Sequence, residues 1–362
     1  MRKMMAFVLL SCAMLWAMCA KAQAQIGFAE VNNTRVNVRS APGGKMLFRV
    51  DAPQSVFVFE EKEQDGALWC HVTTNHGKDT VSAWIRGDML RFVGEEFEGV
   101  VSVQAGQHYV TGLRADGTVA IMGDDMPHLP CVETVRGWRD MVQVSSWICE
   151  AYGLDSSGTL HAVGRGAWLD GSKMARMDGK MPFPIAEDGT LDLSVYVQVL
   201  EDVTIPAWLA PHQDEAVRRV AGKLYHVLAV LTEEGRIYAD ESLASDGSGA
   251  VSAGGYRDMD LYWEFLLALR NDGRVDIMPG TYPLAQAVSG WRQITKIAAG
   301  EHHALGLRED GTVCYAGDDA AHAAQVGAWQ DVVDIAAGPG YSIALKTDGT
   351  VVMAGKYEGY DR

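Results

Sequence analysis

Five of six residues at one repeated spacing carry side chains that could do metal chemistry. Nine positions before a recurring glycine stand His108, Cys149, His226, Glu264, His302 and Gly340. Imidazole, thiolate and carboxylate are the usual ligands of a divalent transition metal. A second candidate is the stretch Leu307 to Gly317, LREDGTVCYAG. An aspartate nucleophile loop for phosphoryl transfer needs its nucleophile two positions before Asp310, and Arg308 stands there. A twelve-residue calcium loop needs alternating oxygen ligands, and Thr312, Val313 and Tyr315 break that order. HExxH, GxxxxGK[ST], GxSxG and CxxC are all absent. No catalytic set, resident metal or cofactor is therefore expected.

A third set of residues is aromatic. Trp147, Tyr225, Tyr262 and Trp263 fall in the same stretches as the histidine column, beside acidic residues. Aromatic faces on an acidic rim suit a sugar, a peptide or a protein partner. With His108 and His302 they form the candidate binding set.

These candidates hang on a repeat. The glycine that follows the column recurs at Gly117, Gly158, Gly235, Gly273, Gly311 and Gly349, and the last three intervals are each 38 residues. Four residues before it a leucine stands every time: Leu113, Leu154, Leu231, Leu269, Leu307 and Leu345. Two residues after it stands Val119, Leu160, Ile237, Val275, Val313 or Val351. An acidic or hydroxyl residue precedes it, as in Asp310-Gly311. That pattern predicts two strands joined by a tight turn, with glycine supplying positive φ. A further strand is predicted upstream, after an aromatic, in GWRDMVQV, GYRDMDLY, GWRQITKIAAG and AWQDVVDIAAG.

Such a unit cannot bury both faces alone, and repetition around an axis makes a β-propeller. The interval from Gly158 to Gly235 is 77 residues, about two units, and Asp188-Gly189-Thr190 marks a degenerate one inside it. Seven units result, with six as the alternative. A strand near Phe97 to Val103 is expected to complete the last unit and close the ring. In a ring this wide the histidine column is too dispersed to share one ion.

Three copies carry a family resemblance: VVSVQAGQHYVTGLRADGTVAIMG, ITKIAAGEHHALGLREDGTVCYAG and VVDIAAGPGYSIALKTDGTVVMAG. They resemble the regulator-of-chromosome-condensation repeat, over about residues 97–357. The family's later Gly-Gln-Leu-Gly segment is missing here. The resemblance therefore implies the fold and not the family's nucleotide-exchange or chromatin role.

Residues 25–94 read differently, as short apolar strands between turn signals. VNVRSAPGG, ALWCHV and AWIRGDML, in that order, resemble the bacterial Src-homology-type small β-barrel of secreted and cell-wall proteins. The resemblance implies a module that binds cell-wall peptide or glycan, with Trp69 and Trp84 as its contact surface.

The first 24 residues read as a secretory signal. Arg2 and Lys3 precede an apolar run from Met4 to Ala20, and Ala22-Gln23-Ala24 offers a small-x-small cleavage site. A retained anchor is the alternative. No later segment is apolar enough to span a membrane. Cleavage removes Arg2, Lys3 and Lys21, taking the formal charge from −16 to −19. Residues 25–94 carry eight charges of each sign, so the acidic excess belongs to the repeats. An acidic surface disfavours nucleic acid. Cys70, Cys131, Cys149 and Cys314 lie outside the signal. They are expected as isolated core thiols, with one Cys131–Cys149 bond as the alternative.

The expectation is an all-β chain: signal peptide 1–24, small barrel 25–94 and propeller 95–362. Its expected function is that of a bacterial, secreted or envelope-associated, non-enzymatic binding protein. The barrel would take cell-wall peptide or glycan and the propeller protein or carbohydrate. The competing expectation is a glycan hydrolase or lyase using carboxylates such as Asp258, Asp260 and Glu264 at the propeller's central face. A third is a structural subunit of an envelope assembly.

Overall fold

The computed structural model describes residues 27–51, 54–76, 79–123, 131–178, 180–194, 206–223, 226–243 and 254–355. The expected signal segment and Tyr225 lie outside them.

The first seven strands are Gly27–Val31, Val36–Arg39, Met46–Val50, Ser55–Gln64, Ala67–His76, Asp79–Arg86 and Leu90–Phe92. They form one sheet in which the first strand lies between the fourth and the seventh. Strict alternation builds its core: Val36 and Val38, Val56 and Val58, Cys70 and Val72, Ala83 and Ile85, Leu90 and Phe92 are all buried in one cluster. All seven strands feed that cluster, so the sheet must curve around it. Asp65 and Gly66, both at positive φ, make the two-residue turn between the two longest strands.

Seven small antiparallel sheets follow among the described residues, six of three strands and one of two. Their first strands are Val100–Ala105, Met141–Ser146, Arg176–Asp178, Val217–Lys223, Tyr256–Tyr262, Ile294–Ala299 and Val332–Ala337. Each of these contacts a first strand of a neighbouring unit, and Val332–Ala337 contacts Val100–Ala105. The first strands therefore line the axis of a closed, propeller-like ring. We number the units one to seven along the chain and call these strands inner.

The repeat columns have direct structural meanings. All seven turn glycines, Gly189 included, have φ between 77° and 84°. The aspartate before the glycine accepts the amide two residues on, as Asp310 does from Thr312 at 3.0 Å and Asp348 from Thr350 at 2.9 Å. The hydroxyl and amide of Thr312 hold the Asp310 carboxyl below its ordinary pKa, and the amide and hydroxyl of Thr350 do so for Asp348. A small residue precedes the leucine because the anchoring aromatic lies on it. A Cβ on Gly153 or Gly306 would come within 2.8 Å of the Trp138 or Trp291 ring.

The same stitch recurs between consecutive units. The carbonyl of every turn glycine but Gly349 accepts an amide at, or just before, the start of the next inner strand. Examples are Met141 to Gly117 at 2.9 Å, Val217 to Gly189 at 2.8 Å, Ile294 to Gly273 at 3.0 Å and Val332 to Gly311 at 3.0 Å.

The expected closing strand does something else. Val100–Ala105 pairs within its own unit, with Tyr109–Arg114, and adds nothing to the last sheet. Phe97 explains why. It fills the aromatic anchor position, 2.8 Å from where a Cβ on Gly112 would sit, so the strand after it enters as an inner strand like the others. The degenerate unit keeps its hairpin turn, but its third strand shrinks to a single bridge between Ile185 and Leu191. Cys70, Cys131, Cys149 and Cys314 are buried and outside any disulfide, as expected of core thiols. The Cys131 thiol faces the Cys149 carbonyl at 4.0 Å and forms no disulfide.

Candidate functional site

The inner strands surround a cavity of about 400 Å³. Each three-stranded unit has a bulge at the same place in its inner strand, just before the residue that pairs with the column leucine. Those residues are Ser102, Gln143, Arg219, Asp258, Lys296 and Asp334. Gln143, Arg219, Asp258 and Lys296 line the cavity wall, joined by Asp178 of the short unit. Units three to seven thus present Asp178, Arg219, Asp258, Lys296 and Asp334, an alternating belt of charge.

The belt is internally satisfied. Arg219 Nη1 donates to Asp178 Oδ1 at 2.8 Å, and its Nε lies 2.7 Å from Asp258 Oδ1. That second contact is a close ion pair. Lys296 pairs with Asp334. Burial works against the charge on Arg219, but Asp258, Asp178 and Asp260 outweigh it and raise its pKa. The carboxylates also tie units together through backbone amides. Asp178 accepts from Val220 at 2.5 Å, Asp260 from Ala299 at 2.7 Å and Asp334 from Val103 at 2.9 Å. Gln143 does the same for Met177 at 3.0 Å. Each polar side chain holds the next inner strand by an amide that the sheet pattern leaves free.

Lys180 closes one end of the cavity. It comes from unit three, yet its ammonium donates to the carbonyls of Leu261 in unit five, at 3.2 Å, and Ala299 in unit six, at 2.5 Å. It also lies 3.5 Å from Asp260 and over the Tyr262 ring at 4.7 Å. Burial pushes its pKa down, with Asp260 opposing. Behind it Trp147 of unit two meets Tyr262 of unit five edge-on at 5.3 Å and Trp263 at 6.1 Å. Units two and five are not neighbours in the ring, so these contacts cross the axis.

Three of the aromatics expected from the sequence, Trp147, Tyr262 and Trp263, are therefore brought together, but not as a surface. Trp147 and Tyr262 are buried, because they pack on each other across the ring. Trp263 is half-buried, at a φ of 28°. His108 is half-buried beside Tyr109, and His302 is exposed. Trp69 and Trp84 also need correction as an open contact surface: each is only 9% exposed. Trp84 stacks on its cross-strand partner His71, ring centroids 4.5 Å apart. Among the described residues no three His, Cys, Asp or Glu gather as a metal site.

The glycosidase carboxylates do not pair either. Asp258 is bound to Arg219, and Asp260 accepts the Ala299 and Leu261 amides at 2.7 and 2.9 Å. Glu264 is exposed beyond the far end of their strand. The belt itself went unnoticed in the sequence. Its signal was present, in the residue two positions after each inner strand begins: Ser, Gln, Asp, Arg, Asp, Lys, Asp once the bulges are counted.

No protein-family model matches the chain, and no curated protein matches it. Among solved structures it is similar to the ectodomain of the Physcomitrella patens receptor kinase CR4. There the identity is 14%, the TM-score 0.47, and the match covers 70% of this chain and 72% of that one. It is similar to Prp20p from Saccharomyces cerevisiae, a structure described with its binding to Gsp1p and histones. That match has 14% identity, a TM-score of 0.38, and covers 71% and 72%. A third similarity is to YCF48 from Cyanidioschyzon merolae, at 10% identity and TM-score 0.33, covering 92% and 100%. All three fall below a TM-score of 0.5, and the propeller-like ring rests on this chain's own sheets and junctions.

Proposed function

We propose that this chain is a bacterial, exported, non-enzymatic binding protein. The ring is a seven-bladed propeller of the regulator-of-chromosome-condensation type, and the N-terminal sheet is a bacterial Src-homology-type barrel. The barrel holds the protein at the cell envelope through wall peptide or glycan. The propeller offers protein or carbohydrate partners a rigid acidic surface, with His302, Trp263 and Glu264 at one rim.

One observation carries the non-enzymatic part. The carboxylates and bases around the axis are spent on each other and on backbone amides, so none of the acids there is poised as general acid or base. The leader-like start and the barrel motifs support the envelope part.

The test is sedimentation of the mature full-length protein with purified bacterial cell wall. The protein should pellet with the wall and be released by soluble wall fragments. A protein that stays in the supernatant contradicts envelope binding.

A further inference from the structure

The last junction of the ring is unlike the others. Consecutive units are stitched by the turn-glycine carbonyl, but the amide of Val100 is bonded to Phe97, at 3.3 Å, and not to Gly349. A Cβ on Gly349 would meet nothing, whereas at Gly117, Gly235, Gly273 and Gly311 it would meet the start of the next unit within 3.3 Å. Among the described residues no strand is exchanged across this seam either. Units seven and one are joined by the Asp334–Val103 bond, a bond from the Tyr341 hydroxyl to the Gly106 carbonyl at 2.7 Å, and a shared apolar cluster.

The N-terminal sheet sits on that seam. Its strand Gly27–Val31 contacts Val119–Gly123 of unit one and Val351–Gly355 of unit seven. The short helix Val93–Glu96 touches the same two strands. A buried charge network fixes the sheet there. Glu30 takes Arg91 and Arg136 together, the latter at 2.8 Å, although Glu30 is only 2% exposed. Glu96 takes the same two arginines, at 3.1 and 3.3 Å. Arg136 belongs to the helix Cys131–Arg136 of the ring, so the network joins the sheet to unit one while the strand packs on unit seven.

We infer that the N-terminal sheet is a clasp that holds the propeller closed across a seam lacking the regular stitch. Its partner surface is formed by the two outer strands Val119–Gly123 and Val351–Gly355. This role is independent of envelope binding, which would use the sheet's remaining surface.

Hydrogen exchange on the full-length protein tests this, comparing wild type with Glu30→Gln. A buried charge that loses its partner is costly, so the two arginines are left poorly paired. The Val103 amide and the strand Val332–Ala337 lie on the axis, away from the substituted site. They should exchange at least tenfold faster, while Tyr256–Tyr262 and Phe265–Arg270 keep their protection. Exchange altered only in residues touching Glu30, or altered equally in all units, overturns the clasp. If Glu30→Gln fails to fold, Arg91→Gln, at a half-exposed partner, is read in the same way.

Discussion

Asp334 Oδ2 accepts the Val103 amide at 2.9 Å, so the last inner strand is hydrogen-bonded to the first. The same carboxylate takes the Lys296 ammonium and the Ile335 amide. One side chain thus closes the ring and ends the charge belt.

Asp334→Ala should therefore destabilise the fold by about 2–4 kcal/mol, because it leaves a lysine and a buried amide without their acceptor. Chemical denaturation checks this. A loss under about 0.5 kcal/mol, the usual range for a surface change, would remove Asp334 from the closure.

The turn column makes a second prediction. Gly311 has a φ of 78°, and its carbonyl receives Val332. Gly311→Ala should cost about 1 kcal/mol through backbone strain alone. Gly94, at which a Cβ would meet nothing and whose φ is not positive, is the control. Equal thermal stability of Gly311→Ala and wild type would contradict the turn assignment.

Acid should loosen the junction of units six and seven. His303 and His322 both contact Ser342 Oγ, at 3.0 and 2.8 Å, in a fully buried cluster that Tyr315 joins through His322. Burial, then His322, Lys180 and His302, pushes the pKa of His303 down to about 3. Burial pushes His322 down to about 4, with Asp319 opposing. Both histidines bind protons more readily in the unfolded chain, whose pKa is about 6.5. Their contribution to stability is thus complete above pH 6.5 and is lost as pH falls toward 4 and 3. Between pH 6 and pH 5 the unfolding free energy should drop by about 2 kcal/mol. The double variant His303→Gln with His322→Gln should flatten that slope, and an unchanged slope would clear the cluster of the effect.

Lys180→Met keeps the side chain's length and removes its charge. Asp260 and the Leu261 and Ala299 carbonyls then lose their shared donor, and stability should fall by about 2–4 kcal/mol. The Trp147 and Tyr262 indole and phenol should also become less shielded, visible as a red-shifted tryptophan emission. Unchanged stability and emission would contradict the role of Lys180 in closing that end of the cavity.

Much of the fold was legible because it is written locally. Leu307, Gly311 and Val313 lie within seven residues, and their spacing is a covalent fact that no tertiary context alters. The closing strand was misread because sequence order does not say which sheet a strand joins. Phe97, as an anchor for Gly112, decides that only in three dimensions. The belt was harder still. Ser102, Gln143, Arg219, Asp258, Lys296 and Asp334 share no residue type, and a column of mixed charges reads as a solvated face until the units stand side by side. Trp147 and Tyr262 looked like surface aromatics because they border loops, and they are buried only because the ring folds those loops across the axis.

We propose that the axial charges serve architecture and not catalysis. A double-mutant cycle across Arg219 and Asp258, with Arg219→Met and Asp258→Asn, measures that assignment most directly. A coupling energy of about 1–3 kcal/mol in unfolding is expected for contacting charges in one network. Single-variant effects that simply add would contradict it and return Asp258 to the set of free carboxylates open to chemistry.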